Sequence, residues 1–274
     1  MEKGTKMVTK SYIIGLPASG KTTFLGALGY SLLNNTVEEN VYEIDSIDNL
    51  DYIKSLANTW SQCKEMDRTK RNSYVNTKLQ LKDKDNNKLE LYIPDQSGEE
   101  FEYIVKNRSM NNTMYNEIVS CDNIFLFVNP SKISNDLFIK DLAPEYRNVS
   151  REKVSALDKS IMHEQTQYVS ILQDIYALRK SRTKIKIVIS AWDEYQTEMA
   201  PNELLKNRLP LLWQYLTANG EIYECEYWGI SAQGGDLTNP EEKEKLQGIS
   251  NAIERIIVVN DNKQVTHDLS ILLK

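Results

Sequence analysis

The sequence predicts an α/β fold with a mostly parallel central sheet, helices on both faces and helical insertions. Three observations predict it. Apolar runs at residues 12–14, 124–128 and 185–189 are short and continuous, as in strands buried on both faces. Segments between such runs carry apolar residues at three- and four-residue spacing, the period of a helix with one buried face. Strand and helix patterns then alternate along the chain, which is how a parallel sheet with crossover helices is written.

The elements follow in order. Tyr12, Ile13 and Ile14 form a strand that runs into Gly15 and a glycine-rich turn. From Lys21 the residues Phe24, Leu25, Leu28 and Leu32 share a helix face. Residues 36–72 are polar and read as an insertion with an embedded helix, marked by Ile47, Leu50, Ile53, Leu56 and Trp60. That stripe serves either a lid over a ligand or a packing helix, and apolar stripes more often mark core. Residues 74–82 and 89–93 alternate polar and apolar around Asp85-Asn86-Asn87, which makes a hairpin. Its second strand ends in Pro94-Asp95-Gln96-Ser97-Gly98.

Residues 100–119 carry a weak helical pattern, and Pro130 ends the strand at 124–128. Residues 131–158 are polar and irregular, a second insertion. A helix up to about Lys180 shows the face Met162, Gln165, Val169, Leu172 and Tyr176. The strand at 185–189 ends in Ser190-Ala191-Trp192-Asp193. A helix starts at Pro201, where proline suits the first turn, with a kink at Pro210 and a cap at Gly220. The strand at 222–230 leads into Ser231-Ala232-Gln233. A final helix is expected over 240–259, then a polar tail over 260–274. The whole chain, 1–274, reads as one domain with its core over about 9–258.

Composition excludes several classes of function. The net charge of −6 gives no electrostatic case for general nucleic-acid binding. Cys63, Cys121 and Cys225 are an odd, widely spaced set, which points to reduced thiols and away from a zinc site or a disulfide framework. His163 and His267 are far apart and read as surface or tail residues. No signal peptide and no stretch long enough to span a membrane is visible, so the cytoplasm is the expected compartment.

Gly15-Leu16-Pro17-Ala18-Ser19-Gly20-Lys21-Thr22 fits the pattern GxxxxGK[ST] at every defined position. Glycines let the backbone curl so that successive N–H groups face phosphate oxygens, and the following helix aims its positive end at the same anion. Lys21 is expected to reach the terminal phosphates, the Thr22 hydroxyl to ligate Mg²⁺, and Thr23 to lie near the α-phosphate. Asp95 can hold Mg²⁺ through water, and Gly98 can offer its N–H to the γ-phosphate. Asp193, just past a buried strand, can accept two hydrogen bonds from guanine N1–H and its exocyclic amine, a donor pair that adenine lacks. A backbone N–H at Ser231-Ala232-Gln233 can meet the guanine carbonyl. Taken singly, Asp95, Gly98 and Asp193 also fit plain turns and caps.

Phosphate loop, DxxG, strand-end aspartate and Ser-Ala dipeptide occur in the order of a Ras-like GTPase. The chain resembles the TRAFAC-class P-loop GTPases, and within them the bacterial double-GTPase group with its GLxxSGKT-type loop and DxSGE-type switch. The resemblance implies a Ras-like G domain that binds and hydrolyses GTP with Mg²⁺. It also implies a protein effector, such as a second GTPase, and a role in bacterial conflict or defence. Departures are visible. Ser190 and Ala191 replace the usual asparagine and lysine before Asp193, so Trp192 or Ala191 is expected to pack on the base, and Gln233 replaces a lysine. Glu99 stands where a glutamine orients the attacking water, which predicts slow hydrolysis. Thr69 and Ser73 are candidate switch ligands for Mg²⁺, and Arg71 (with Arg68) a candidate arginine finger or a solvated basic loop. An ATP-binding P-loop enzyme and a non-catalytic nucleotide scaffold remain as alternatives.

Overall fold

The computed structural model describes residues 8–34, 42–66, 77–94, 99–133, 163–195 and 198–274. Among these residues nine strands form one sheet in the order β2-β3-β4-β1-β5-β6-β7-β8-β9. The strands are β1 (Val8–Gly15), β2 (Tyr42–Ile47), β3 (Thr77–Asp83), β4 (Lys88–Ile93), β5 (Asn123–Val128), β6 (Thr183–Ile189), β7 (Tyr223–Ser231), β8 (Ile257–Asn260) and β9 (Val265–Thr266). The five central strands β4, β1, β5, β6 and β7 are mutually parallel. Antiparallel pairs close both edges.

The helices are α1 (Lys21–Asn34), α2 (Leu50–Ser61), α3 (Glu99–Asn107), α4 (Asn112–Ser120), α5 (Glu164–Arg179), α6 (Pro201–Arg208), α7 (Pro210–Ala218) and α8 (Pro240–Gln247). Strand alternation divides the core between two layers. Tyr12, Ile14, Leu126 and Ile187 face α3 to α7, while Ile13, Phe125, Phe127 and Val188 face α1 and α2. All six residues of β5 are buried, as its unbroken apolar run requires.

The stripe in the first insertion is a packing helix. Ile53, Ala57 and Trp60 of α2 are buried, and α2 lies close on α1 because Gly26 and Gly29 leave it room. A Cβ on Gly29 would sit 2.8 Å from Ile53 Cγ2. Ile47 belongs to β2, an edge strand that its mixed pattern hid, and Leu50 is exposed.

Several expectations need correction. The buried face of α5 is Tyr168, Ile171, Leu172 and Ile175, whereas Tyr176 is exposed. The apolar stripe at spacing 3, 1 and 3 wins over the looser one read from Met162. Pro210 breaks the helix from Pro201 rather than kinking it. Leu209, with φ −128° and ψ 60°, is kept out of the α region by the proline that follows, and a new helix starts there. Asn219, not Gly220, caps that helix.

The expected final helix ends at Gln247. Ile256, Ile257, Val258 and Val259 are β-branched, and Ile257–Asn260 pairs antiparallel with β7. The polar tail expected after Asn260 is largely exposed only as far as His267. A 3-10 turn, Leu269–Leu273, buries Leu269, Leu272 and Leu273 in the α1 layer. Lys186, itself buried, donates to the carbonyls of Leu272 and Lys274, both at 2.9 Å.

Candidate functional site

The loop between β1 and α1 is shaped by two left-handed residues, Ala18 (φ 56°) and Gly20 (φ 89°). Residues in that conformation among right-handed neighbours turn successive N–H groups to one side, the geometry of an anion nest. Gly15 is needed for close approach, since a Cβ there would lie 2.6 Å from Ser19 Oγ and 2.8 Å from the Phe127 carbonyl. Tyr168 of α5 props this corner from behind, its hydroxyl donating to that carbonyl at 3.0 Å and accepting from the Leu16 backbone.

The Lys21 ammonium lies under the loop. It donates to the carbonyls of Gly15 (2.7 Å) and Leu16 (2.9 Å) and to Ser19 Oγ (3.1 Å). Those three neutral acceptors replace water incompletely, and burial lowers its pKa to about 7.

One open cavity of about 660 Å³ runs from this loop across the carboxyl ends of β6 and β7. Pro17, Ala18, Ser19, Gly20, Lys21, Thr22 and Thr23 line one end, and Asp193, Ser231, Ala232 and Gln233 line the other. In an open α/β sheet this is where ligands bind. The sequence-predicted phosphate and base residues therefore meet at a single site.

Trp192 does not join them. Its indole is buried against Gly229, where a Cβ would lie 2.3 Å from Trp192 Cε3. It anchors the 3-10 turn Trp192–Glu194 to β7, and this turn holds Asp193 at the cavity. The expected stacking of Trp192 on the base is thus replaced by a structural role, while Ala191 (φ 54°) lines the cavity. Ser190 is buried, donates to the Val128 carbonyl at 3.3 Å and packs against Gly20.

After β7, the Gly234 N–H donates to Ser231 Oγ at 2.9 Å, which curls the chain into a compact base loop. Trp60 Nε1–H donates to the Ala232 carbonyl at 2.7 Å. Gln233 Nε2 is buried with no partner among the described residues, which leaves it able to donate to a ligand.

Thr22 stands at the start of α1 beside Lys21 and lines the cavity. A hydroxyl there suits a hard cation that completes its shell with phosphate oxygens and water. Among the described residues no cluster of three or more His, Cys, Asp or Glu side chains could hold a metal. Asp95, Gly98, Thr69, Ser73 and Arg71 lie outside the described residues, as does the side chain of Glu99, whose backbone opens α3.

Sequence reasoning missed Asn129, Lys132 and the segment Lys64, Glu65 and Met66, all of which line the cavity. Asn129 Nδ2 donates to the Ala18 carbonyl at 3.4 Å, and its Oδ1 accepts from Ser131. A signal existed: Asn129 follows β5 as directly as Ser190 follows β6, so both stand at carboxyl ends of central strands.

Fold and site together define a P-loop nucleotide-binding protein. The sequence profile of the family described as Double-GTPase 1 matches residues 12–274. The chain belongs to that family and is a GTP-binding GTPase, which sets aside the ATP-dependent and scaffold alternatives. No curated protein matches the sequence. Among solved structures it is similar to the signal recognition particle receptor SRb-GTP/SRX complex from Chaetomium thermophilum, with 14% identity, 85% of this chain and 94% of that chain covered, and a TM-score of 0.43. The Arl6 small GTPase from Trypanosoma brucei with bound GppNp shows 13% identity, 87% and 94% coverage and a TM-score of 0.38. An Era variant from Aquifex aeolicus bound to GDP and AlF4⁻ shows 15% identity, 87% coverage of this chain and a TM-score of 0.36; the chain spans 56% of it. Among the described residues no helix is long and apolar enough to cross a membrane.

Proposed function

We propose that this GTPase is a single-domain, Mg²⁺-dependent switch whose GTP lies along the 660 Å³ cavity, triphosphate on the loop from Gly15 to Thr22 and guanine at Asp193 and the base loop. The observation that carries the reading is the convergence of Lys21, Asp193 and Ala232 on that one cavity from three parallel strands. Thr22 ligates Mg²⁺, with Asp95 and one of Thr69 or Ser73 completing the protein ligands. Gly98 senses the γ-phosphate, Arg71 neutralises its developing charge, and Glu99 makes hydrolysis slow. GTP orders the segments around 65–73 and 95–105, and hydrolysis releases them to a protein effector, a second GTPase in a bacterial conflict system. The compartment is the cytoplasm.

Labelled GTP titrated against unlabelled ATP, with and without Mg²⁺, tests this. GTP should bind tightly only with Mg²⁺ and resist competition by ATP. Tight ATP binding that GTP cannot displace would sink the base assignment. Single-turnover hydrolysis by wild type and Glu99→Ala tests the catalytic part, and equal rates remove Glu99 from it.

A further inference from the structure

We infer that Trp60 is a positioning residue for base selection: its indole N–H locks the Ala232 carbonyl so that the Ala232–Gln233 peptide offers its N–H, and not its carbonyl, to position 6 of a purine.

The inference rests on the assignment of guanine to the base loop. Position 6 is where guanine and adenine have opposite polarity, a carbonyl acceptor in one and an amine donor in the other. A loop backbone can serve either, because turning one peptide exchanges N–H for C=O. Selectivity therefore needs something that stops the peptide from turning.

Trp60 is that stop. The bond from Nε1 to the Ala232 carbonyl is 2.7 Å long and buried. The Ala232–Gln233 peptide is trans, so fixing its carbonyl toward the indole sends the Gln233 N–H the opposite way. Ala232 and Gln233 line the cavity and Trp60 does not. Turning the peptide toward a ligand would strand a buried indole N–H, which is what makes the lock effective.

The indole itself is held. It is fully buried, tilts against Tyr30 of α1, and lies under the Arg255 guanidinium at 4.3 Å. Arg255 is buried too. It donates to the carbonyls of Ser61 and Ala252 and contacts Cys63 Sγ. Its own carbonyl closes on Gly234 (φ 89°), where a Cβ would lie 2.6 Å away. One residue thus reaches both places, its guanidinium holding the end of α2 and its backbone carbonyl the far end of the base loop. The same α2 end runs into Lys64, Glu65 and Met66 at the cavity wall.

The test is the ratio of ATP to GTP dissociation constants in Trp60→Phe, which keeps a ring under Arg255 but loses the N–H together with part of the indole's volume. The ratio should fall about fivefold to tenfold, the worth of one neutral hydrogen bond, with part of the change appearing as tighter ATP binding. Binding of inorganic triphosphate should not change. An unchanged ratio, with GTP and ATP weakened alike, would overturn the inference and leave Trp60 a packing residue. Should Trp60→Phe fold poorly, benzothienylalanine at position 60 replaces the N–H by sulfur at constant shape, and the same ratio decides. Asp193→Ala separates the two layers of argument. If it leaves the ratio intact, the guanine assignment itself fails. If it collapses the ratio and the Trp60 variants do not, only the role of Trp60 fails.

Discussion

Ser190 presses on Gly20: a Cβ on Gly20 would lie 2.8 Å from Ser190 Cβ and 3.0 Å from its Oγ. The end of β6 therefore braces the phosphate loop of β1 and α1 from the side. A small residue at 190 suits this contact. Gly20 also holds φ +89°, a conformation that costs an L residue about 1–3 kcal/mol. Gly20→Ala should weaken GTP binding about a hundredfold, since displaced loop groups lose their aim at the phosphates. The fold should survive, because the site is a surface loop. Calorimetric titration alongside a thermal melt checks both halves; a variant that binds GTP as wild type does would show that the contact is slack.

Lys21 carries a pH prediction. Burial lowers its pKa to about 7 in the free protein, and in the proposed site the charge of a bound polyphosphate would raise it again. Above pH 7 the free protein therefore holds this lysine largely neutral, and GTP binding takes up a proton. Affinity should fall as pH rises from about 7 toward 8.5, where the nucleotide itself is fully ionised. Titrations at about pH 8.5 in buffers of different ionisation enthalpy should report uptake approaching one proton, shrinking toward pH 7. Zero uptake at the higher pH would mean that the carbonyls of Gly15 and Leu16 and Ser19 Oγ already keep the ammonium charged.

What the sequence disclosed, and what it did not, follows from where the information sits. The loop over Gly15–Thr22 is local, eight consecutive residues, so the order of strand, tight loop and helix there is legible in the sequence. The central strands were readable because burial on both faces leaves β5 an unbroken apolar run. The place of Asp193 at the cavity is legible from its position just past such a run. Trp192 was misassigned because its partner, Gly229, is 37 residues away, and nothing local says that a tryptophan must fill the space over a glycine.

The carboxyl-terminal elements failed for a different reason. Charged residues before Gly248 favour a helix, and the β-branched run at 256–259 favours a strand, so a single helix over both was a wrong choice of period. The segment Leu269–Leu273 looked like tail because its partners, α1 and Lys186, lie far back in the chain.

Gly229 and Trp192 make a steric prediction. A Cβ at 229 would stand 2.3 Å from Trp192 Cε3 and 2.4 Å from Cδ2, so the indole must move. Gly229→Ala should cost about 1–3 kcal/mol by overpacking. It should also shift the turn that holds Asp193, lowering the preference for GTP over ATP. Trp192→Leu on top of Gly229→Ala frees the space and should recover part of the stability. Urea melts of the single and double variants, read with the nucleotide preference, test the coupling. A stability loss with unchanged preference would uncouple Trp192 from Asp193.

Asp193→Asn tests guanine recognition in a way that loss of function cannot. In the proposed base assignment the carboxylate would accept from N1–H and from the amine at C2 of guanine. An asparagine keeps one acceptor and turns the other position into a donor, which opposes that amine. GTP affinity should fall about tenfold to a hundredfold, the worth of a hydrogen bond to a charged group. Xanthine carries a carbonyl at C2 in place of the amine and retains N1–H, so it matches the asparagine. The variant should bind xanthosine triphosphate more tightly than GTP, and the wild type the reverse. Such an inversion cannot arise from a damaged fold, because damage weakens both ligands together. If both ligands weaken equally, Asp193 shapes the cavity wall and something else reads the base.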